Sequence, residues 1–277
     1  MPLITLPHAA QLLSEDQLVA IPTETVYGLA ANAGSALAVG KIFAAKGRPA
    51  DHPLIVHVAH AAAAAAWAAQ WSPTMQALAE AFWPGPLTLI VAKAAHVLPA
   101  VTGGQNSVGL RVPKHALALA LLQEIHPMGL AAPSANRYGH ISPTTAAHVA
   151  NELGDELPLV DGGDCRVGIE STILDCTVAP HRILRPGAIT PAQLAQVLGY
   201  VPEIWHKNKL PSAELAPRVS GDKDSHYAPS TATHLVEALS GRGVSIGFEH
   251  SDFVMSRDAQ VYAHDLYATL RLADARC

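Results

Sequence analysis

Cysteine is scarce in this chain, and so is charge. Cys165, Cys176 and Cys277 are an odd set with no CxxC among them, which points to reduced thiols in a reducing compartment, with Cys165 and Cys176 packed rather than reactive. Charged residues make up 15% of the chain and the net charge is −5 with neutral histidines, so there is no global basic footprint for nucleic acid. No apolar stretch approaches the roughly 20 residues that cross a bilayer, and Met1 to Gln17 lacks the basic start of a signal peptide. A cytoplasmic protein with no membrane partner is therefore expected. The fifteen histidines are scattered, with no HExxH and no Cys/His cluster at zinc spacing, so no metal site is expected from the protein's own side chains.

What is present is apolar mass. At 49% hydrophobic over 277 residues the chain can bury a substantial core, in one large or two unequal domains. Its most informative stretch runs from Val19 to Val58: an apolar run, a polar turn, an amphipathic segment, two cations and a second apolar run. This reads as strand, loop, helix, loop, strand. The first loop offers Thr23, Glu24, Thr25 and Tyr27, which can converge on a small polar ligand. The helix from Ser35 places Leu37, Val39, Ile42, Phe43 and Ala45 on one broad face and ends at Lys46-Gly47. Lys46 and Arg48 either complement the helix dipole or, held in a stiff turn bounded by Pro49 and Pro53, receive phosphates. Strand-end loops on one side of the sheet would bring Thr25 and Arg48 around one ligand.

Elsewhere the pattern predicts helices at His8–Leu13, through the alanine run 61–66 toward Trp67 and Trp71, and at Pro73–Phe82, His115–Ile125, Thr145–Leu153 and Pro191–Leu198. Strands are predicted at Leu18–Ile21, Leu87–Ala92, Ser107–Val112, Met128–Ala132, Leu159–Val160, Thr172–Asp175 and Arg182–Leu184. Alternation puts Ser107, Gly109 and Arg111 on one strand face, so Arg111 is a cation inside a strand: an edge arginine in water, or a fork for a ligand carboxylate. His57, in the apolar strand LIVHV, is either a satisfied core histidine or a ligand contact. Pro133-Ser134-Ala135-Asn136 follows a strand end, and Ser142-Pro143-Thr144 reads as a helix N-cap that can also receive phosphate. Ser171 closes the glycine-rich loop GGDCRVGIES, and Arg185 follows the third short strand. Pro202 to Pro217 reads as a linker, and a small α/β region follows, with segments at Thr233–Leu239, Val244–Phe248 and Leu266–Leu272.

PTETVYGL at Pro22 to Leu29, Lys46-x-Arg48, PSAN at Pro133 to Asn136 and SHYAP at Ser225 to Pro229 together resemble the threonylcarbamoyl-AMP synthase family, in its longer two-domain form. The resemblance implies a twisted mixed β-sheet flanked by helices over residues 1–200, a linker that folds back as a lid over 201–230, and a C-terminal α/β region over 231–277 that is short for the family. It implies formation of threonylcarbamoyl-AMP and pyrophosphate from L-threonine, bicarbonate and ATP, with Mg²⁺ accompanying ATP and no tightly bound organic cofactor. A separate transferase would consume the product in modifying tRNA. Threonine would meet Thr25, His57, Arg111 and Ser171. ATP would meet Lys46, Arg48, His52, Ser107, Ser134, Asn136, Ser142, Arg185 and Tyr227, with Lys46 and Arg48 in the catalytic role. His52 stands where the family commonly has Asn, which replaces an amide contact to ATP by an imidazole. Two other readings remain at this stage, a double-stranded RNA-binding module with weak affinity through Lys41, Lys46, Arg48 and Arg111, and a relative that makes carbamoyl-adenylate.

Overall fold

The computed structural model describes residues 1–206, 216–221, 228–234 and 243–277. After α1 (Leu6–Ser14), β1 (Val19–Ile21) and β2 (Gly28–Asn32) form an antiparallel hairpin, followed by α2 (Ala36–Lys46) and β3 (Ile55–His57). Then come α3 (Ala61–Ala65), α4 (Pro73–Phe82), β4 (Leu87–Ala92), α5 (Pro99–Thr102), β5 (Ser107–Arg111), α6 (Ala116–Glu124), β6 (Leu130–Ala131) and α7 (Ala146–Leu153). The chain continues through β7 (Thr172–Asp175), β8 (Arg182–Arg185), α8 (Pro191–Leu198), β9 (Glu203–Ile204), β10 (Ile246–Gly247), β11 (Phe253–Val254) and α9 (Ala259–Asp274).

Among the described residues, nine strands make one mixed sheet in the order β1-β2-β6-β3-β5-β4-β7-β8-β9. Parallel pairs β3·β5, β4·β7 and β8·β9 alternate with antiparallel ones, so a twisted mixed sheet flanked by helices is what forms. Central strands are buried along most of their length, in keeping with their near-continuous apolar runs. The main core runs from Tyr27 and Leu29 through Ile42, Val56, Leu89 and Leu110 to Leu174 and Leu194, and a second cluster joins Leu13, Ile21, Leu121 and Leu130.

Local signals set the ends of α2. Ser35 Oγ accepts from Ala38 N at 3.2 Å, and Gly47 ends the helix in the left-handed region at φ 61° with Arg48 N donating back to Phe43 O at 3.0 Å. Lys46 and Arg48 therefore leave the helix in fixed directions.

Four expectations need correction. The strand β2 was not anticipated, because Gly-Leu-Ala-Ala-Asn has no β-branched or aromatic residue and forms its ladder only against β1 and β6. The alanine helix α3 stops after five residues, its start capped by His60 Nδ1 accepting from Ala63 N at 3.0 Å, and it does not run on to Trp71. Ser142 does not cap α7; Thr145 does, accepting from His148 N at 3.2 Å, while Ser142 Oγ donates to Glu170 instead. Leu159 makes isolated bridges to Leu3 and Ala20 rather than a strand with Val160. In the C-terminal region a two-stranded parallel ladder, β10·β11, and α9 are present; part of the predicted segment Thr233–Leu239 lies outside the described residues.

Helix α9 packs on the loops that carry Val26, Ile141 and Gly168. Tyr267, Leu266 and Leu270 meet Val26 and Ile141, and the backbone of His264 presses on Gly168. A Cβ at Gly168 would lie 2.3 Å from the His264 carbonyl oxygen, whereas one at Gly163, with a nearly identical φ of +75° against +76°, would meet nothing within 4 Å. Gly168→Ala and Gly163→Ala thus share a backbone cost of about 1–2 kcal/mol, and only the first must also displace α9. Limited proteolysis is expected to cut within 243–277 faster in Gly168→Ala than in Gly163→Ala. Equal rates would show that the contact at Gly168 does not hold the helix.

Candidate active site

The polar turn of 22–28, the ends of β3, β5 and β7, the 132–134 turn and β8 surround a cleft of about 490 Å³. Three guanidinium groups, Arg48, Arg111 and Arg185, face it against one carboxylate, Glu170. The chain is acidic overall, so this concentration of positive charge marks an anion site.

At one end Arg111 is held from three sides. Strands β3 and β5 pair His57 with Arg111 in register, so both side chains reach the same end of the sheet. Arg111 Nη2 lies 2.7 Å from Glu24 Oε1 and donates to Thr25 Oγ1 at 3.0 Å, and its Nε donates to Gly85 O at 3.3 Å. Glu24 is anchored in turn by Lys114 N, which donates to Oε2 at 2.9 Å. The Thr25 hydroxyl hydrogen-bonds that of Thr23 at 2.9 Å. Burial, followed by the neighbouring Arg111, pushes His57 down to about 3, so the ring is neutral at physiological pH, and its Nδ1 has no hydrogen-bond partner among the described residues. Ser171 completes this end, its hydroxyl 2.8 Å from that of Thr88. A fork, a neutral imidazole and hydroxyls suit a small amino acid with a carboxylate.

At the other end Arg185 grips Ser171, Nη2 donating to its carbonyl at 2.9 Å and to its hydroxyl at 3.0 Å, and Nη1 donates to Ser220 O at 3.2 Å. Arg48 Nη2 donates to Ser220 Oγ at 3.0 Å and to Pro53 O at 2.9 Å. Ser220 thus ties two cations together. Its segment, 216–221, folds back across the sheet, with Val219 buried against Ile90 and Ile173 and Arg218 on Asp51 and Gly103. Glu170, which accepts from Ser142 Oγ at 2.5 Å, sits 4.0 Å from Arg185.

Lys46 stands behind this wall. Its Nζ donates to the carbonyls of Ser134 and Asn136 at 2.6 and 2.5 Å, fixing the PSAN turn from below. Burial first, and Arg48 second, bring its pKa down to about 7 against the upward pull of Glu170 and Glu152.

Of the residues predicted from sequence, Thr25, Arg48, His57, Arg111, Ser134, Ser171 and Arg185 line one cleft. Ser107 lines a neighbouring cavity of about 280 Å³ that shares Ile55 and Ser220 with the first. Asn136 is buried, its amide donating to the carbonyls of Arg137 and His140 at 2.7 and 2.9 Å, and Ser142 is buried on Glu170. His52 packs edge-on against Tyr138, ring centres 5.4 Å apart. Tyr227 lies outside the described residues. Tyr27 is not a ligand hydroxyl: its ring is fully buried and its oxygen accepts from Gly162 N and donates to Gly163 O, stapling two loops. Sequence reasoning missed Glu170, for which the signal was a lone carboxylate at the exit of a glycine-rich loop. It also passed over Glu152, an acid on an ordinary amphipathic helix with no signal at all.

Comparison with known proteins supplies the family. Residues 11–187 match the Sua5/YciO/YrdC family model, described as "Telomere recombination", and residues 189–277 match the model described as "Threonylcarbamoyl-AMP synthase, C-terminal domain". The chain belongs to the threonylcarbamoyl-AMP synthase family. It is 43% identical over 233 residues to the threonylcarbamoyl-AMP synthase of Pyrococcus abyssi, covering 83% of this chain and 67% of that protein. It is 44% identical over 233 residues to the Bacillus subtilis protein of the same name, covering 83% and 66%. The chain thus spans about two thirds of the length of these curated relatives. Among solved structures, that of P. abyssi Sua5 complexed with L-threonine superposes with a TM-score of 0.87 at 37% identity, covering 98% of this chain and 85% of that one. The mixed sheet and the second C-terminal region are therefore those of the threonylcarbamoyl-AMP synthase family.

Proposed function

We propose that this chain is an L-threonylcarbamoyladenylate synthase, using L-threonine, bicarbonate and ATP to form threonylcarbamoyl-AMP and pyrophosphate. The observation that carries the reading is that Arg111, His57, Thr25 and Ser171 line one cleft together with Arg48 and Arg185; we read the first set as receiving the threonine carboxylate and the second as receiving the phosphates. The relatives' shared name agrees with it.

The chemistry follows from positioning. Threonine's amine, held beside neutral His57, adds to the carbon of bicarbonate and water leaves, giving a carbamate. A carbamate oxygen then attacks the α-phosphorus of ATP, the bond to the bridging oxygen breaks, and pyrophosphate departs between Arg48 and Arg185. Neither Cys165 nor Cys176 competes as nucleophile: both are buried, burial pushing Cys165 up to about 12 and Cys176 upward as well. Among the described residues no group of three or more His, Cys, Asp or Glu could hold a metal, but Glu170 gives the cleft one carboxylate. That donor set fits a hard divalent cation such as Mg²⁺ that enters on the phosphates and keeps most of its water, with Glu170 as its protein ligand. When bound, such an ion neutralises phosphate charge. No described helix is long and apolar enough to cross a membrane. The product's consumer would be a transferase acting on a tRNA adenosine.

Pyrophosphate release from ATP and bicarbonate, measured with and without L-threonine, tests the proposal. Release that requires threonine is expected. Release at the same rate without threonine, or none under either condition, would reject it.

A further inference from the structure

Glu152, on α7, lies outside the cleft yet touches α9 and the 134–141 loop at once. Its side chain is buried, and Oε1 lies 2.9 Å from Arg271 Nη2 on α9. Oε2 accepts from Arg137 N at 3.1 Å and lies 3.1 Å from His140 Nδ1, while Arg137 Nε donates to the Glu152 carbonyl at 2.9 Å. Arg271 also donates to the carbonyl of Ile141. The 134–141 loop is therefore clamped from two sides, by Lys46 on the carbonyls of Ser134 and Asn136 and by Glu152 on Arg137 and His140. Asn136 bridges the two clamps through the carbonyls of Arg137 and His140. The same loop receives the chain after the linker, where Ala228 N donates to Gly139 O at 3.1 Å.

We infer that Glu152 is a positioning residue through which docking of α9, by way of Arg271, sets the geometry of the 134–141 loop and hence the affinity for ATP. Beside the direct bond from Arg271 to the Ile141 carbonyl, α9 is linked to the loop by one carboxylate with two oxygens: one faces Arg271, the other Arg137 and His140. Loss of the ion pair frees Glu152 to turn, and the loop loses its second clamp. The part concerning ATP rests on the proposed function, because it takes Ser134, which lines the cleft, to face the nucleotide; the part concerning the loop does not.

Glu152→Gln, Arg271→Met and their double variant test this. Hydrogen exchange at the Arg137 amide, read without substrate, is expected to quicken about tenfold in Arg271→Met, a variant that leaves every direct contact of that amide in place. Unchanged exchange overturns the coupling whether or not the chain turns over ATP. In steady state each single variant is expected to raise the KM for ATP about tenfold with the KM for threonine and kcat nearly unchanged, and the double variant to be no worse than Glu152→Gln. Additive effects, or equal rises in both KM values, would reduce Glu152 to a general stabiliser and overturn the inference.

Discussion

Arg111→Ala is expected to abolish threonine-dependent pyrophosphate release and to destabilise the fold at the same time. The guanidinium is buried on Glu24, whose own side chain is only 5% exposed, so its removal strands a carboxylate in the interior. Breaking one member of a buried pair costs about 3–5 kcal/mol, and a urea titration should show a loss of that order. The two effects can be separated. Glu24→Gln/Arg111→Met removes both charges and should recover much of the stability, because an uncharged pair leaves no uncompensated ion. Under the proposed function it should recover none of the activity, because the fork assigned to the threonine carboxylate is gone. A double variant that is stable and fully active would show that Arg111 serves the fold and not the substrate.

Lys46→Met is expected to change the pH dependence of stability and the proton balance of ATP binding. The buried Lys46 gives up its proton at about 7 in the folded chain, against 10.5 for the ordinary side chain. Between those values the unfolded chain binds the extra proton, so the wild type gains stability over Lys46→Met as pH rises from 7 toward 10, by up to about 1.4 kcal/mol per pH unit. Below pH 7 both states carry the proton and the difference is flat. The variant also leaves the Ser134 and Asn136 carbonyls without their donor, a constant penalty of about 1–3 kcal/mol for each group left unsatisfied. A triphosphate in the cleft pulls the other way, favouring the charged ammonium. Calorimetry of ATP binding at pH 8 in two buffers of different ionisation enthalpy should therefore show proton uptake in the wild type that is lost in Lys46→Met. Equal proton uptake in both would place the titrating group elsewhere.

The contrast between these residues shows how far the sequence could be read. Arg111 was conspicuous as a cation in an apolar strand, and the alternation of SVGLRVP already put it on a face with Ser107 and Gly109, both of which line the adjoining cavity. Arg48 was conspicuous in its proline-bounded turn, and the capping geometry of Ser35 and Gly47 was written in residue types alone. Lys46, two positions earlier, carried the same signal as Arg48 and points elsewhere, into the back of the PSAN turn, because a helix end sends neighbouring side chains in different directions. Strand β2 escaped notice because alanine and glycine have little β preference of their own and are held there by their neighbours.

By itself the sequence determined the ends of α2, the central apolar strands and the polar residues that interrupt them, since caps, glycine turns and periodicity act within a few residues. It also held the motifs that identify the family. Tertiary structure alone decided that Glu24 would meet Arg111, that Ser220 would tie Arg48 to Arg185, and that Glu152 would stand between α9 and the 134–141 loop. Each of those contacts joins positions far apart in the chain. Their closeness follows from strand order and from the requirement that buried charge find a partner, and neither is a local property of sequence.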